Sequence, residues 1–364
     1  MQHIELMSKR NTLTERLTSY LRRYYDLGSR REAFRHRRFY SLEIELTNRC
    51  NRECLYCYNS SSRQCLTPDL PFDFVERLIG EAEEAGVRQI AWLGGEPLLY
   101  RRLPELLQLA HSRGIENVLF TNGSLLNAQN WRLIRPWVGR LMFHLDTIAT
   151  DTFVLLNNVI RTQGTEMLSR TKQNLRDVLS AGFDPDRVCF YVVLTRPAYQ
   201  SLEATLEWAL HDVGVGTTAL YPMVRTGRAC RTAPGWDLSR DELQKAFELR
   251  ASIENREELL LLGPSEYCKH YQLTMAYLNV HGQLMPYAGI TAPLLDATAS
   301  PLASLLREHY DELSFSTLGR PDPSIGLTGR CKFCQNSEFC FGTRTTAFNQ
   351  AGFVWESDPF CWLC

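Results

Sequence analysis

Hydrophobic and polar positions alternate with a period of two along Ser41–Leu46 (Ser-Leu-Glu-Ile-Glu-Leu), which predicts a half-buried strand. Five more apolar runs of strand length follow: Gln89–Leu93, Asn117–Phe120, Arg140–Leu145, Val188–Leu194 and Thr217–Met223. Between them the period lengthens to that of a helix, over Phe72–Ala85, Pro104–Ser112, Gln129–Trp137, Glu166–Ala181 and Leu202–Val213. Six β/α units in succession predict an α/β fold, a curved parallel sheet backed by helices that amounts to a partial (β/α)6 barrel. Sites in such barrels lie at the carboxyl ends of the strands. Ahead of the first strand, Leu13, Leu17, Leu21 and Tyr24/Tyr25 recur at helical spacing and predict one amphipathic helix. Leu238–Leu262 predicts a further helix beyond the last strand.

These patterns divide the chain into a basic N-terminal helical extension (1–38), the partial barrel (39–229), a bridging helix region (230–263) and a small cysteine-rich domain (264–364). The run Arg30, Arg31, Arg35, Arg37 and Arg38 reads as a solvated helix face rather than an anion site. A length of 364 residues accommodates two or three domains. The net charge of −1 argues against nonspecific nucleic-acid binding. Neither a signal peptide nor a long apolar run stands out, so a cytoplasmic protein is expected, without membrane or nucleic-acid partners. Twelve cysteines in that reducing compartment point to metal ligation rather than disulfides.

Three of those cysteines stand directly after the first predicted strand, as Cys50-x3-Cys54-x2-Cys57. A [4Fe–4S] cluster offers four iron corners and normally takes four cysteines, so a loop supplying three leaves one iron open. Zinc is an alternative, although structural zinc sites are usually closed by a fourth Cys or His and none stands in this loop. Three unrelated structural cysteines are the plainest alternative. Gly94-Gly95-Glu96-Pro97 follows the second strand at the same rim. Its glycines let a ligand approach the backbone, and Glu96 offers a carboxylate to an ammonium group.

The cysteine spacing, the aromatic Tyr56 before the third cysteine and the Gly-Gly-Glu-Pro turn together resemble the radical S-adenosylmethionine (SAM) superfamily. The resemblance implies that Cys50, Cys54 and Cys57 hold a [4Fe–4S] cluster whose open iron chelates SAM, and that Gly94, Gly95, Glu96 and Pro97 receive its methionine amine. It implies reductive cleavage of SAM to a 5′-deoxyadenosyl radical, fed by a low-potential donor such as a flavodoxin or ferredoxin. Asn122, within Phe120-Thr121-Asn122-Gly123, His144, where relatives usually show serine, and Arg161 are further cofactor contacts by the same resemblance.

The C-terminal region carries Cys268, Cys331-x2-Cys334-x5-Cys340 and Cys361-x2-Cys364. By spacing alone this is a zinc ribbon or an iron–sulfur site. It resembles the SPASM extension of radical SAM enzymes, which implies one auxiliary [4Fe–4S] cluster on Cys331, Cys334, Cys340 and Cys361. Two positions where relatives carry cysteine are Tyr287 and Arg344, so Cys268 is expected to be a buried thiol, with Cys364 or Cys230 as substitute ligands. The auxiliary cluster either accepts an electron or ties down the C-terminus.

Cys230 follows the sixth strand, and epimerising relatives use a thiol to return hydrogen to the substrate, so it is a candidate hydrogen donor ahead of Cys65 and Cys189. The expected activity is oxidation or epimerisation of a small polar metabolite of sugar, aminocyclitol or nucleoside type. The alternatives are a maturase of a ribosomally made peptide and a non-catalytic metal-stabilised scaffold.

Overall fold

The structure, a computed structural model, describes residues 2–290, 294–315 and 326–363. All six predicted strands form: β1 Ser41–Glu45, β2 Gln89–Leu93, β3 Glu116–Thr121, β4 Arg140–His144, β5 Val188–Leu194 and β6 Thr217–Pro222. They pair in parallel, each with its successor, in one sheet. Three strands that sequence periodicity missed extend the same sheet. β7 Met275–Leu278 lies parallel to β1 on its free side, and β8 Gln283–Met285 and β9 Leu295–Asp296 follow antiparallel. The cysteine-rich region therefore begins inside the sheet. Runs of two to four residues are too short to display a period.

Leu42 and Ile44 of β1 are fully buried in the main core. They share it with Val75, Leu78, Ile79 and Ala82, the i, i+3, i+4, i+7 stripe of a helix over Phe72–Glu84. Each such leucine or isoleucine contributes about 2 kcal/mol by leaving water. The alternate β1 residues Ser41, Glu43 and Glu45 are also buried, on the opposite face. Two carboxylates on the inner face of a sheet are costly to bury, which marks that face as more than packing.

The N-terminal extension is two helices rather than the one expected, α1 Gln2–Tyr25 and α2 Leu27–Arg35. Asp26 breaks them: it adopts the left-handed conformation (φ 48°), caps α2 by accepting from Ser29 N, and accepts from the Tyr40 hydroxyl at 2.8 Å. Arg30 also departs from the solvated face expected of the basic run. It is 1% exposed, donates to Tyr25 O, Ser41 Oγ, Thr274 Oγ1 and Gln89 Oε1, and lies 4.4 and 4.1 Å from the Tyr40 and Tyr271 ring centres. It thereby pins α2 to the amino ends of β1 and β2. Replacing Arg30 with Met leaves those acceptors unmet, and we expect chemical denaturation to show a loss of about 3 kcal/mol. A change below about 0.5 kcal/mol would contradict this role.

Candidate functional site

At the carboxyl ends of the strands lies a cavity of about 270 Å³. Cys50, Cys54 and Cys57 share its wall with Gly94, Gly95, Pro97, Asn122 and His144. Burial pushes the Cys54 thiol up to about 12 and raises Cys50 as well. Among the described residues no three Cys, His, Asp or Glu side chains converge on a point that would hold a single metal ion. A cluster takes each thiolate at a separate iron corner, so its fit rests on the cysteines sharing one wall, which these do.

The loop is held from two sides. The Gly-Gly-Glu-Pro turn hydrogen-bonds to it, Gly95 N to Thr47 O at 2.7 Å and Glu96 N to Arg49 O at 2.9 Å. A side chain at Gly94 (φ 150°) would run into Thr47 O, and one at Gly95 would stand 2.9 Å from Cys50 Cβ and closer still to Arg49 O. These glycines thus admit the cysteine loop itself, as well as facing the cavity. From the other side, Arg228 donates to Cys54 O (2.9 Å), Ser60 O (3.2 Å) and Ser61 O (2.6 Å), and Thr226 Oγ1 to Tyr58 O (2.9 Å). Sequence reading passed over this clasp, since nothing local marks Arg228 as a brace.

Glu96 corrects an expectation. It is fully buried and outside the cavity wall, and its carboxylate already accepts from Leu98 N, Thr121 Oγ1 and Asn122 N. Burial raises its pKa against those three donors. It clamps the turn to the end of β3 instead of presenting a carboxylate to an ammonium. Asn122, so placed, donates to Asn51 Oδ1 at 3.0 Å and reaches Cys50 Sγ at 3.9 Å.

Tyr56 and His144 are brought together by Asp146, which the sequence argument did not single out. Asp146 takes the Tyr56 hydroxyl on Oδ2 and binds His144 Nε2 (2.8 Å) and Val193 N (2.8 Å) on Oδ1. Burial works to raise its pKa, but His144 and these donors outweigh it and hold the carboxyl below its usual value. His144 stacks on Tyr191, 4.7 Å between centres.

Arg161 and Cys230 lie elsewhere. Arg161 opens an outer helix, its side chain 71% exposed and paired with Asp151. Cys230 is exposed on a short helical turn, its thiol donating to Arg225 O at 3.0 Å, and is absent from the cavity wall. The turn that carries it points its neighbours, not its sulfur, at the cysteine loop.

The same cavity is a tyrosine chamber: Tyr58, Tyr191, Tyr221, Tyr267 and Tyr287 line it, with Glu43 and Glu266. Arg250 neutralises Glu266, 2.6 Å away and equally buried. Glu43 has no such partner: its hydrogen bond among the described residues comes from the Tyr271 hydroxyl at 3.2 Å, and burial pushes its carboxyl up to about 7. The alternation that predicted β1 already placed Glu43 opposite Leu42 and Ile44, which is the signal that was available.

Cys331, Cys334 and Cys361 all surround Cys340. Cys331, Cys340 and Cys361 are buried and Cys334 half-buried. Cys268, fully buried, packs among Leu17, Tyr20, Tyr271 and Phe339 as the buried thiol expected. Cys364 lies outside the described residues. Among the described residues no helix is long and apolar enough to cross a membrane.

With this geometry in place, residues 44–209 match the model of the Radical SAM superfamily. That family binds a [4Fe–4S] cluster and SAM, and the residues of the cavity wall fit that pair. The chain is 29% identical over 155 residues to a probable GTP 3′,8-cyclase of Methanothermobacter marburgensis, covering 42% of this chain and 48% of that protein. It is 35% identical over 153 residues to the GTP 3′,8-cyclase of Rhodopirellula baltica, covering 41% of each. The match thus spans about half, or less, of these curated relatives. Streptococcus suis SuiB bound to S-adenosylmethionine superposes with a TM-score of 0.65 at 15% identity, over 91% of this chain and 80% of that one. For anSMEcpe with bound AdoMet the values are 0.61 and 14%, over 88% and 94%. At these identities the likeness is one of fold.

Proposed function

We propose that this protein is a radical SAM enzyme that removes hydrogen from a small polar metabolite of sugar, aminocyclitol or nucleoside type, leading to its oxidation or epimerisation. The observation that carries the reading is the single cavity joining the three-cysteine loop to the tyrosine chamber with Glu43. When loaded, the cluster and SAM supply reductive cleavage of a sulfonium C–S bond, and from it a carbon radical able to take hydrogen from an unactivated carbon. Cys50, Cys54 and Cys57 would hold the cluster, with Gly94, Gly95, Pro97 and Asn122 beside them for the methionine end of SAM. Tyr56 and His144, both hydrogen-bonded to Asp146, form an adjoining wall.

Substrate then falls to the tyrosines and Glu43. Phenols present flat apolar faces with hydroxyl rims, suited to ring compounds bearing several hydroxyls. Glu43 is placed to accept a hydrogen bond from a substrate amine or hydroxyl, since one phenol leaves most of its acceptor capacity unused. A volume of about 270 Å³ lies just below the usual range for ligand pockets, roughly 300–1,000 Å³, and has to serve SAM as well as substrate, in keeping with a compact substrate rather than an extended peptide. The curated relatives carry the name of a nucleotide cyclase, in keeping with a compact substrate. SuiB is also known bound to the precursor peptide SuiA, which keeps the peptide reading as an outcome of the test.

The test is release of 5′-deoxyadenosine from anaerobic, reduced protein offered SAM with panels of aminocyclitols, sugars and nucleosides, and separately with peptides. Stimulation by a small metabolite is expected; turnover with peptides alone rejects the substrate class. With the active metabolite, Glu43→Gln is expected to lower substrate-stimulated turnover by about 10- to 100-fold, the worth of one hydrogen bond to a charged group. In the unsubstituted protein, substrate binding should weaken as pH falls below about 7, because the carboxylate that accepts the bond is then protonated. A flat binding profile between pH 6 and 8 would exclude Glu43 from substrate recognition.

A further inference from the structure

Arg344 stands four residues past Cys340, where the SPASM resemblance leads one to expect another cysteine. The structure shows what has replaced that ligand. Its guanidinium is 1% exposed, and Nη1 donates to Val354 O at 2.7 Å and Glu356 O at 2.8 Å. The other two nitrogens, Nε and Nη2, are sealed from solvent and meet no oxygen or nitrogen acceptor among the described residues, the Cys331 sulfur being the side chain they face. The ionisable groups around it are Asp358, Cys331 and Cys340. Nη2 sits against Gly342, 2.5 Å from where a Cβ would stand, and the Gly342 N–H itself points at Cys340 Sγ, 3.3 Å away.

A buried cation without compensation costs several kcal/mol. Asp358 supplies only part of it: Oδ1 already accepts from Phe360 N at 2.9 Å and Oδ2 from Thr343 N at 2.6 Å. A [4Fe–4S] core held by four thiolates is, by contrast, a compact dianion when oxidised, and gains one further negative charge on reduction. It is the missing counter-charge for a guanidinium two of whose nitrogens meet no oxygen or nitrogen acceptor among the described residues. We propose that Arg344 is a positioning residue for charge at the auxiliary site: it stabilises a cluster held by Cys331, Cys334, Cys340 and Cys361 and raises its reduction potential. A positive charge at contact range favours the form with the extra electron, as neighbouring hydrogen bonds and net charge do in such clusters generally. Arg344 also reaches the cavity wall, so this charge lies between the two sites. Loss of a ligand here has become gain of a tuning charge.

This inference rests on the reading that the four cysteines hold an iron–sulfur cluster, and the experiment separates the two. Full-length protein with Cys50, Cys54 and Cys57 changed to alanine isolates the auxiliary site; after anaerobic reconstitution its midpoint potential is read by EPR-monitored titration. Introducing Arg344→Met is expected to make reduction at least tenfold less favourable, a shift of about 59 mV to more negative potential for one electron. Arg344→Lys, which keeps the charge, is expected to recover most of it. If the Met variant fails to load iron while the Lys variant loads, the charge requirement is upheld by iron content alone. A Met variant with a full cluster and an unmoved potential overturns the proposal, as does equal loss of loading in both variants, which would mark Arg344 as structural. If the isolated site binds no iron, or binds it equally well with Cys340→Ala, the cluster reading itself falls.

Discussion

Cys54→Ala, reconstituted anaerobically with iron and sulfide, is expected to carry about four irons where the unsubstituted chain carries about eight, and to lose SAM cleavage entirely. The reasoning is local. Cys54 is the middle ligand of a loop that shares one wall of the cavity with Cys50, Cys57 and the glycine turn. With only three thiolates available, none can be spared. The remaining irons belong to the C-terminal cysteines, whose neighbours are one another and not the loop. Iron quantification and detection of 5′-deoxyadenosine read both halves of the prediction. A variant that keeps eight irons and cleaves SAM normally would remove the radical reading at its base, and zinc alone in the unsubstituted protein would do the same, since zinc has no electron to give.

The second large effect is mechanical. Gly95→Ala should reduce iron loading of the loop and SAM cleavage by about 100-fold, even though a methyl group adds no chemistry. The new Cβ would stand 2.9 Å from Cys50 Cβ and nearer still to the Arg49 carbonyl. One obstacle is backbone and the other the stem of a ligand, so neither can rotate aside. The turn must move off the loop by a distance of order 1 Å, breaking the Gly95–Thr47 and Glu96–Arg49 hydrogen bonds, and misplacement on that scale costs about 10²-fold in well-positioned sites. Gly28→Ala is the control: nothing lies within 4 Å of its Cβ position, and the site is helical, so no loss is expected. Normal loading in Gly95→Ala would show that turn and loop are not coupled.

Both predictions draw on features legible before any coordinates. The cysteine triplet, the glycine turn and the six strands announce themselves through spacing and period, because each is a local pattern. Asn122 and His144 came from the family resemblance, and both line the cavity. Glu96, Arg161 and Cys230 show where such reading stops. All three sit at plausible places in the chain, yet Glu96 is consumed by three donors from β3 and the turn, and the other two face solvent. Which way a side chain points after a strand end depends on the partners it meets, and those partners are distant in sequence.

The chain by itself determined its class of fold and the chemistry of its most reactive loop, since hydrophobic period and ligand spacing are written within windows of a few tens of residues. Tertiary structure alone decided the rest. It inserted β7 beside β1, buried Arg30 beneath the sheet, closed Arg228 over the cysteine loop and set the Arg344 guanidinium beside the Cys331 and Cys340 thiols. The physical reason is common to all four. A buried charge or an edge strand is stable only when groups from remote segments satisfy it, and that satisfaction exists only once the chain has closed on itself.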